Sequence, residues 1–321
     1  MDWILLGIPV GIIMLYFGSE WMVDGAKRLA FRLGVTPFVV GLTVVAFGSS
    51  APECVTSLVS SSTPDIIIGN IVGSNIANVG LAIGLAALIS PLAAKYSTIK
   101  FEMISMIVSV LIVAFMALFG YIGFIDGVIL VAALFIFVYL VYIFKKDDKE
   151  GQAAYDTGEE EKDDGKSSNL VFSCIMIVVG LVVLYFGAKF FISGATDLAK
   201  IIGVSDLLIG LLVVAVGTSL PELCICLVAS YRGENDLAVS NIVGSIVFNS
   251  FFALGIGALV TNVPITQSMM MFHIPVMILM TVLMYAMVRL KNNISRPMGA
   301  LLVAIYVAYV VIMALNPSLT I

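Results

Sequence analysis

The sequence predicts an all-α membrane protein: ten transmembrane helices arranged as two inverted five-helix repeats. Three observations predict it. The 321 residues are 61% hydrophobic and only 12% charged, ten apolar stretches are each long enough to cross a bilayer, and short motifs recur along the chain at a nearly constant offset. A soluble domain carries about 25% charged residues, so the composition excludes a water-soluble enzyme, a disordered chain and a nucleic-acid binder. The formal net charge of −5 is local, because residues 145–166 hold nine acids and five bases and leave the rest almost neutral. The four cysteines (Cys54, Cys174, Cys224 and Cys226) all lie in apolar runs. Cys224 and Cys226 point about 200° apart on a helix, so they form neither a disulfide framework nor a metal knuckle.

About 20 apolar residues are needed to cross the hydrocarbon layer. The candidate spans cover residues 3–31, 36–62, 65–91, 99–119, 122–145, 169–200, 205–231, 236–261, 269–290 and 297–316. The first is not a cleavable signal: it opens with Asp2 and runs on through Ser19, Glu20 and Asp24 with no small-residue cleavage pattern. Basic residues set the orientation. Lys27, Arg28 and Arg32 follow span one, Lys95 and Lys100 follow span three, and five lysines lie in the 145–166 stretch. Arg232 follows span seven, and Arg289, Lys291 and Arg296 follow span nine, so with Lys189 and Lys200 counted against the pattern the split is 14 to 2. The positive-inside rule then places both termini outside a cell membrane and the acidic stretch in the cytoplasm. The expected organisation is a first repeat over residues 1–144, an acidic linker over 145–168, read as a solvated connection, and a second repeat over 169–321.

Internal duplication is the most informative feature. Leu15-Tyr16-Phe17-Gly18 recurs as Leu184-Tyr185-Phe186-Gly187, Gly25-Ala26 as Gly194-Ala195, and Gly48-Ser49-Ser50-Ala51-Pro52-Glu53 as Gly217-Thr218-Ser219-Leu220-Pro221-Glu222, all 169 residues apart. Asn70-Ile71-Val72-Gly73-Ser74 recurs as Asn241-Ile242-Val243-Gly244-Ser245, 171 residues apart. Five spans per half is an odd number, so the second copy enters the membrane upside down. Inverted repeats of this kind characterise secondary transporters, whose substrate site lies near the midplane between the halves.

The longest shared stretch keeps a carboxylate deep in an apolar span. An ionised acid at a helix centre costs about 2.5–3.5 kcal/mol on insertion scales, yet Glu53 and Glu222 preserve it twice. Pro52 and Pro221 precede them and cannot donate to the carbonyls four residues back, so carbonyls around Gly48 and Ser49, and around Gly217 and Thr218, are freed, and with Gly, two hydroxyls and a Glu beside it each proline reads as a broken-helix site. In the second motif Asn70, Ser74 and Asn78 are four apart and line one helical stripe, repeated as Asn241, Ser245 and Asn249. Gly69 with Gly73, and Ser240 with Gly244, allow close helix packing. With the hydroxyls of Ser49, Ser50, Thr218 and Ser219 the inventory is all oxygen. That suits hard cations such as Ca²⁺ or Na⁺, whereas transition metals call for His or Cys. The single histidine, His273, lies outside both motifs and reads as structural or interfacial. A pocket of charge −2 is neutralised by one divalent or two monovalent cations, and competition for it yields exchange. The residues alone leave Na⁺ and H⁺ open as the counter-ion.

At these residues the chain resembles the sodium/calcium exchanger branch of the calcium:cation antiporter superfamily, across essentially all ten spans. The motifs Gly-Ser-Ser-Ala-Pro-Glu with Gly-Ser-Asn-Ile-Ala-Asn, and Gly-Thr-Ser-Leu-Pro-Glu with Gly-Ser-Ile-Val-Phe-Asn, carry the resemblance. It implies Ca²⁺ between Glu53 and Glu222 with the Ser49 and Thr218 carbonyls. It implies flanking Na⁺ sites at Ser50, Ser74 and the Ala46 carbonyl, and at Ser219, Ser245 and the Ala215 carbonyl, with spans one and six sliding as a gating pair. Two departures stand out. Asn249 occupies a position where potassium-dependent relatives carry Asp, which argues against potassium co-transport, and Ile246 replaces an Asn common in the second motif. Proton-coupled relatives usually show Gly-Asn before the acid, so Gly-Ser and Gly-Thr favour Na⁺. The expected activity is electrogenic Na⁺/Ca²⁺ antiport by alternating access, with an H⁺/Ca²⁺ antiporter as the alternative. No cofactor is expected; the partners are the two ions and the lipid bilayer, with no nucleic acid and no obligate protein partner. A channel would build its filter around an open axis, and an intramembrane enzyme would need a base beside Ser50 that the sequence does not supply.

Overall fold

The computed structural model describes residues 6–60, 64–145, 170–201, 217–316 and 319. Ten helices follow in order: α1 (Gly7–Leu33), α2 (Pro37–Val59), α3 (Asp65–Ile89), α4 (Tyr96–Ala117), α5 (Phe124–Phe144), α6 (Leu170–Ile201), α7 (Leu220–Tyr231), α8 (Asn235–Val260), α9 (Met269–Lys291) and α10 (Arg296–Leu315). Eight are long and apolar enough to cross a membrane; α1 carries Glu20 and Asp24 in its interior, and α7 is the described part of span seven. The acidic stretch 146–169 and the start of span seven, including Ala215, lie outside the described residues.

Helices α3 and α8, which carry the polar stripes, are the most enclosed of these spans. Within their most apolar stretches 78% and 83% of residues are buried, against 28% in α5, α6 and α10. The outer helices therefore present Leu, Ile, Val and Phe side chains to lipid, and the polar motifs sit at the centre of the bundle.

Glycines set how the halves meet. Gly11, Gly18 and Gly25 are seven apart on α1, and Gly180, Gly187 and Gly194 repeat that spacing on α6. A seven-residue period keeps them on one stripe, where the absent side chain lets backbones touch. A Cβ at Gly18 would lie 2.9 Å from the Leu184 nitrogen, and one at Gly187 would lie 3.0 Å from the Leu15 nitrogen. Gly11 meets Phe191 as Gly180 meets Met22, and Gly25 meets Ile177 as Gly194 meets Ile8. Each pair maps onto its partner by the 169-residue offset, so α1 and α6 cross antiparallel about a pseudo-two-fold axis. The inverted repeat is thus written into the packing.

The same exchange recurs further along the chain. Gly84 of α3 packs on Gly299 of α10, and Gly127 of α5 packs on Gly255 of α8. Short bridges β1 (Leu92–Ala93) with β4 (Asn293–Ile294), and β2 (Tyr121–Ile122) with β3 (Val263–Pro264), join the halves antiparallel. The halves are interlocked. Lone charges in α1 are matched at one end of the bundle: Arg232, after α7, pairs with Asp24 at 2.6 Å and Glu20 at 3.2 Å, and Lys27 pairs with Glu234 at 2.8 Å.

Because a Cβ at Gly11 would sit 2.6 Å from the Phe191 backbone nitrogen, Gly11→Val must separate α1 from α6. Thermal unfolding of the purified protein in detergent is expected to show a loss of about 1–3 kcal/mol. Ile13→Val, on the exposed face of the same helix, is expected to leave the transition in place; equal losses would exclude helix contact as the constraint.

Candidate functional site

Neither acid sits inside an unbroken helix. The first half of α2 ends at Ser49, Ser50 takes φ −85° and ψ 7°, and the helix restarts at Ala51. Ser219 takes φ −85° and ψ 3° just before α7. The prolines therefore stand in the first turn of a restarted helix, where a missing N–H costs nothing. Glu53 and Glu222 occupy the third position of that turn, and its unpaired N–H groups and positive dipole end favour a carboxylate there. The helix is interrupted at Ser50, and Ser219 takes the same conformation at the matching place before α7, where the sequence reads a broken-helix site.

The two acids are fully buried, as are Ser74, Asn78, Ser245 and Asn249 to within 1% exposure. Each acid accepts from a serine hydroxyl. Ser50 Oγ, from the first half, donates to Glu222 Oε1 of the second at 3.0 Å. Ser74 Oγ lies 3.3 Å from Glu53 Oε1 and donates to it. The same hydroxyl lies 3.1 Å from Thr218 Oγ1, which donates to Asn70 Oδ1 at 3.1 Å. The repeat mate of this last bond is present too: Ser49 Oγ donates to Asn241 Oδ1 at 3.4 Å. Hydrogen bonds thus cross the repeat boundary in both directions, and the expected cross-facing of stripe and broken helix is observed.

The network departs from symmetry elsewhere. Ser219 Oγ and Ser245 Oγ, mates of Ser50 and Ser74, have no hydrogen-bond partner among the described residues, and neither do Glu53 Oε2, Glu222 Oε2, Asn249 Oδ1 or either amide atom of Asn78. Buried polar atoms are ordinarily paired, so this concentration of unpaired oxygens marks a place built for something other than protein. Both Asn78 and Asn249 open π-helical turns, Asn78–Ile83 and Asn249–Ala253, the widened geometry that recurs at functional sites. The Ala46 carbonyl accepts from the Ser50 nitrogen at 3.0 Å and lies 3.4 Å from Ser49 Oγ. The matching Ala215 is outside the described residues.

Among the described residues no group of three or more His, Cys, Asp or Glu gathers, so the site's charge comes from two carboxylates surrounded by neutral oxygens. Cys226 donates to backbone carbonyls of Ala82 and Ala238. His273 is tied to Tyr309 Oη at 2.8 Å and to the Leu319 carbonyl at 2.7 Å. Sequence reasoning passed over Asn75, Ser250 and Met277. Asn75 stands one residue off the four-residue stripe, and only the fold reveals that it faces α8 and α9.

A family model described as sodium/calcium exchanger protein matches residues 3–143 and 172–315. The chain belongs to the sodium/calcium exchanger family. Among its relatives, an uncharacterized membrane protein of Methanocaldococcus jannaschii is 37% identical over 95% of this chain and 97% of its own length. The sodium/calcium exchanger MaX1 of Methanosarcina acetivorans is 30% identical over 95% and 96%. The solved structure of the sodium-calcium exchanger NCX_Mj, soaked with Na⁺ and Ca²⁺, superposes with a TM-score of 0.81 at 31% identity, covering 97% of this chain and 98% of that one. Family and fold therefore agree with the resemblance carried by the two motif pairs.

Ser74 is the node between the acid and the second half, donating to Glu53 and lying against Thr218, so Ser74→Ala leaves Glu53 Oε1 without its described donor. In chelator, it is expected to destabilise the purified protein by about 1–3 kcal/mol, the cost of orphaned buried groups. Ser219→Ala removes a hydroxyl with no described partner and is expected to be near neutral. Calorimetric or fluorescence melting distinguishes the two, and equal effects would refute the nodal role.

Proposed function

We propose that this member of the family exchanges Na⁺ for Ca²⁺ by alternating access, electrogenically and without K⁺. The observation that carries the reading is the pair of buried carboxylates, one from each inverted half: Ser50 of the first half donates to Glu222, Ser74 donates to Glu53 and lies against Thr218 of the second, and oxygens without a partner among the described residues edge the pair. Two like charges held out of water repel and lose hydration. One Ca²⁺ between Glu53 and Glu222 offsets both terms, with the Ser49 and Thr218 carbonyls completing an oxygen shell of the kind this ion takes. Na⁺ would compete through Ser50, Ser74 and the Ala46 carbonyl, and through Ser219, Ser245 and the Ala215 carbonyl, with the Asn78 and Asn249 amides alongside.

Competition for a −2 pocket converts two ion gradients into one coupled cycle. When Ca²⁺ occupies it the pocket is neutral, and when Na⁺ ions displace Ca²⁺ any third Na⁺ carries a charge across. The interlocked repeats give the two membrane faces equivalent contacts, and α1 with α6 packs as one unit, which supports its sliding as the gate. Asn249 in place of an acid keeps the pocket at two charges, supporting K⁺ independence. The 145–168 stretch acts as a cytoplasmic linker between repeats 1–144 and 169–321, with both termini outside the cell.

Proteoliposomes loaded with Na⁺ and diluted into Na⁺-free medium with Ca²⁺ are expected to accumulate Ca²⁺, unaffected by K⁺ and faster at inside-positive potential. Glu53→Gln and Glu222→Gln are each expected to cut uptake by more than about tenfold, the loss of a charged ligand. Uptake driven by a pH gradient alone would assign H⁺ as counter-ion and overturn the Na⁺ assignment.

A further inference from the structure

The halves of the polar motif differ at one pair where an amide faces a hydrocarbon: Asn75 in α3, Ile246 in α8. Both are fully buried. Asn75 Nδ2 donates to Ser250 Oγ at 3.2 Å and to Met277 Sδ at 3.6 Å, and its Oδ1 accepts from Asn249 Nδ2 at 3.3 Å.

The chemistry of these partners fixes which way each amide points. A hydroxyl either donates or accepts, so Ser250 tolerates both orientations of Asn75. A thioether sulfur only accepts, so Met277 requires the Asn75 NH₂ on its side. The Asn75 carbonyl then faces α8, and Asn249 must offer its own NH₂ to it. The Asn249 oxygen is forced to the opposite side, where it is fully buried and has no partner among the described residues. For Asn78, the mate of Asn249, the second half offers Ile246 where the mate of Asn75 would be needed, and neither amide atom of Asn78 has a described partner.

We propose that Asn75, oriented by Met277, is a positioning residue that holds the Asn249 amide oxygen toward the ion pocket as a fixed ligand, while Asn78 keeps both orientations. The inference rests on the cation-site reading above. An amide presents a partial negative charge from one end and a partial positive charge from the other, so a turned Asn249 repels the cation it should hold. An aspartate at the same place has oxygen at both ends and needs no such guide. Asn75 therefore matters only because residue 249 is an amide.

The experiment is Ca²⁺ binding to the purified full-length protein, followed by isothermal titration in detergent without Na⁺. Asn75→Leu is expected to weaken binding by about tenfold, the range of one charge-assisted contact. Met277→Leu, which conserves volume, is expected to weaken it by about threefold and carries the test where Asn75→Leu does not fold. In an Asn249→Asp background both substitutions are expected to have no further effect, a coupling that a general packing defect would not show. Equal effects in both backgrounds, or binding unchanged by Asn75→Leu and Met277→Leu, overturn the positioning role alone. Absence of Ca²⁺ binding in the unmodified protein overturns the cation site and the positioning role together.

Discussion

Two carboxylates lie where a bilayer protein can least hold them, and among the described residues no basic side chain takes part in the hydrogen bonds around them. Neutral dipoles and helix ends surround Glu53 and Glu222, and on the proposed reading a mobile cation supplies the rest. The break in α2 and the start of α7 supply helix N-termini, and the serine and threonine hydroxyls supply donors. Oxygens of Glu53, Glu222, Ser219, Ser245, Asn78 and Asn249 have no partner among the described residues. On the proposed reading this is an unfinished coordination shell, complete only when an ion from either side fills it.

The inverted repeat makes that arrangement possible at low cost. A single broken helix would leave one acid and one set of loose backbone ends against lipid. Two copies, interlocked through glycine contacts and short strand bridges, place each helix break against the polar stripe of the other half. The symmetry is kept in the framework and relaxed in the site. Thr218 to Asn70 and Ser49 to Asn241 are matched bonds, whereas Ser50 and Ser74 have bonds that their mates Ser219 and Ser245 lack among the described residues. Asn75 and Ile246 extend that inequality to the two amides flanking the acids.

Much of this was legible in the sequence because the bilayer imposes strong, local rules. Length and apolarity gave the spans, and the 169-residue offset gave the repeat. The four-residue spacing of Asn70, Ser74 and Asn78 marked one buried stripe. The sequence was weaker wherever an outcome depended on the partner helix. Pro52 marks a broken helix in the sequence, but not where the break falls: the chain breaks at Ser50 and restarts with the proline in its first turn. Asn75 was overlooked because its partners, Ser250 and Met277, lie 175 and 202 residues away.

The sequence by itself determined which residues go into lipid, that the chain is doubled and inverted, and which side chains carry oxygen into the hydrocarbon layer. These follow from hydrophobic length and periodicity, which act within one helix. Only the tertiary structure decided which oxygens are used up by the protein and which remain unpaired. Hydrogen-bond direction is settled between helices: a hydroxyl donates once, a thioether sulfur never donates, and an amide has two unlike ends. Those choices depend on what faces each group across the bundle.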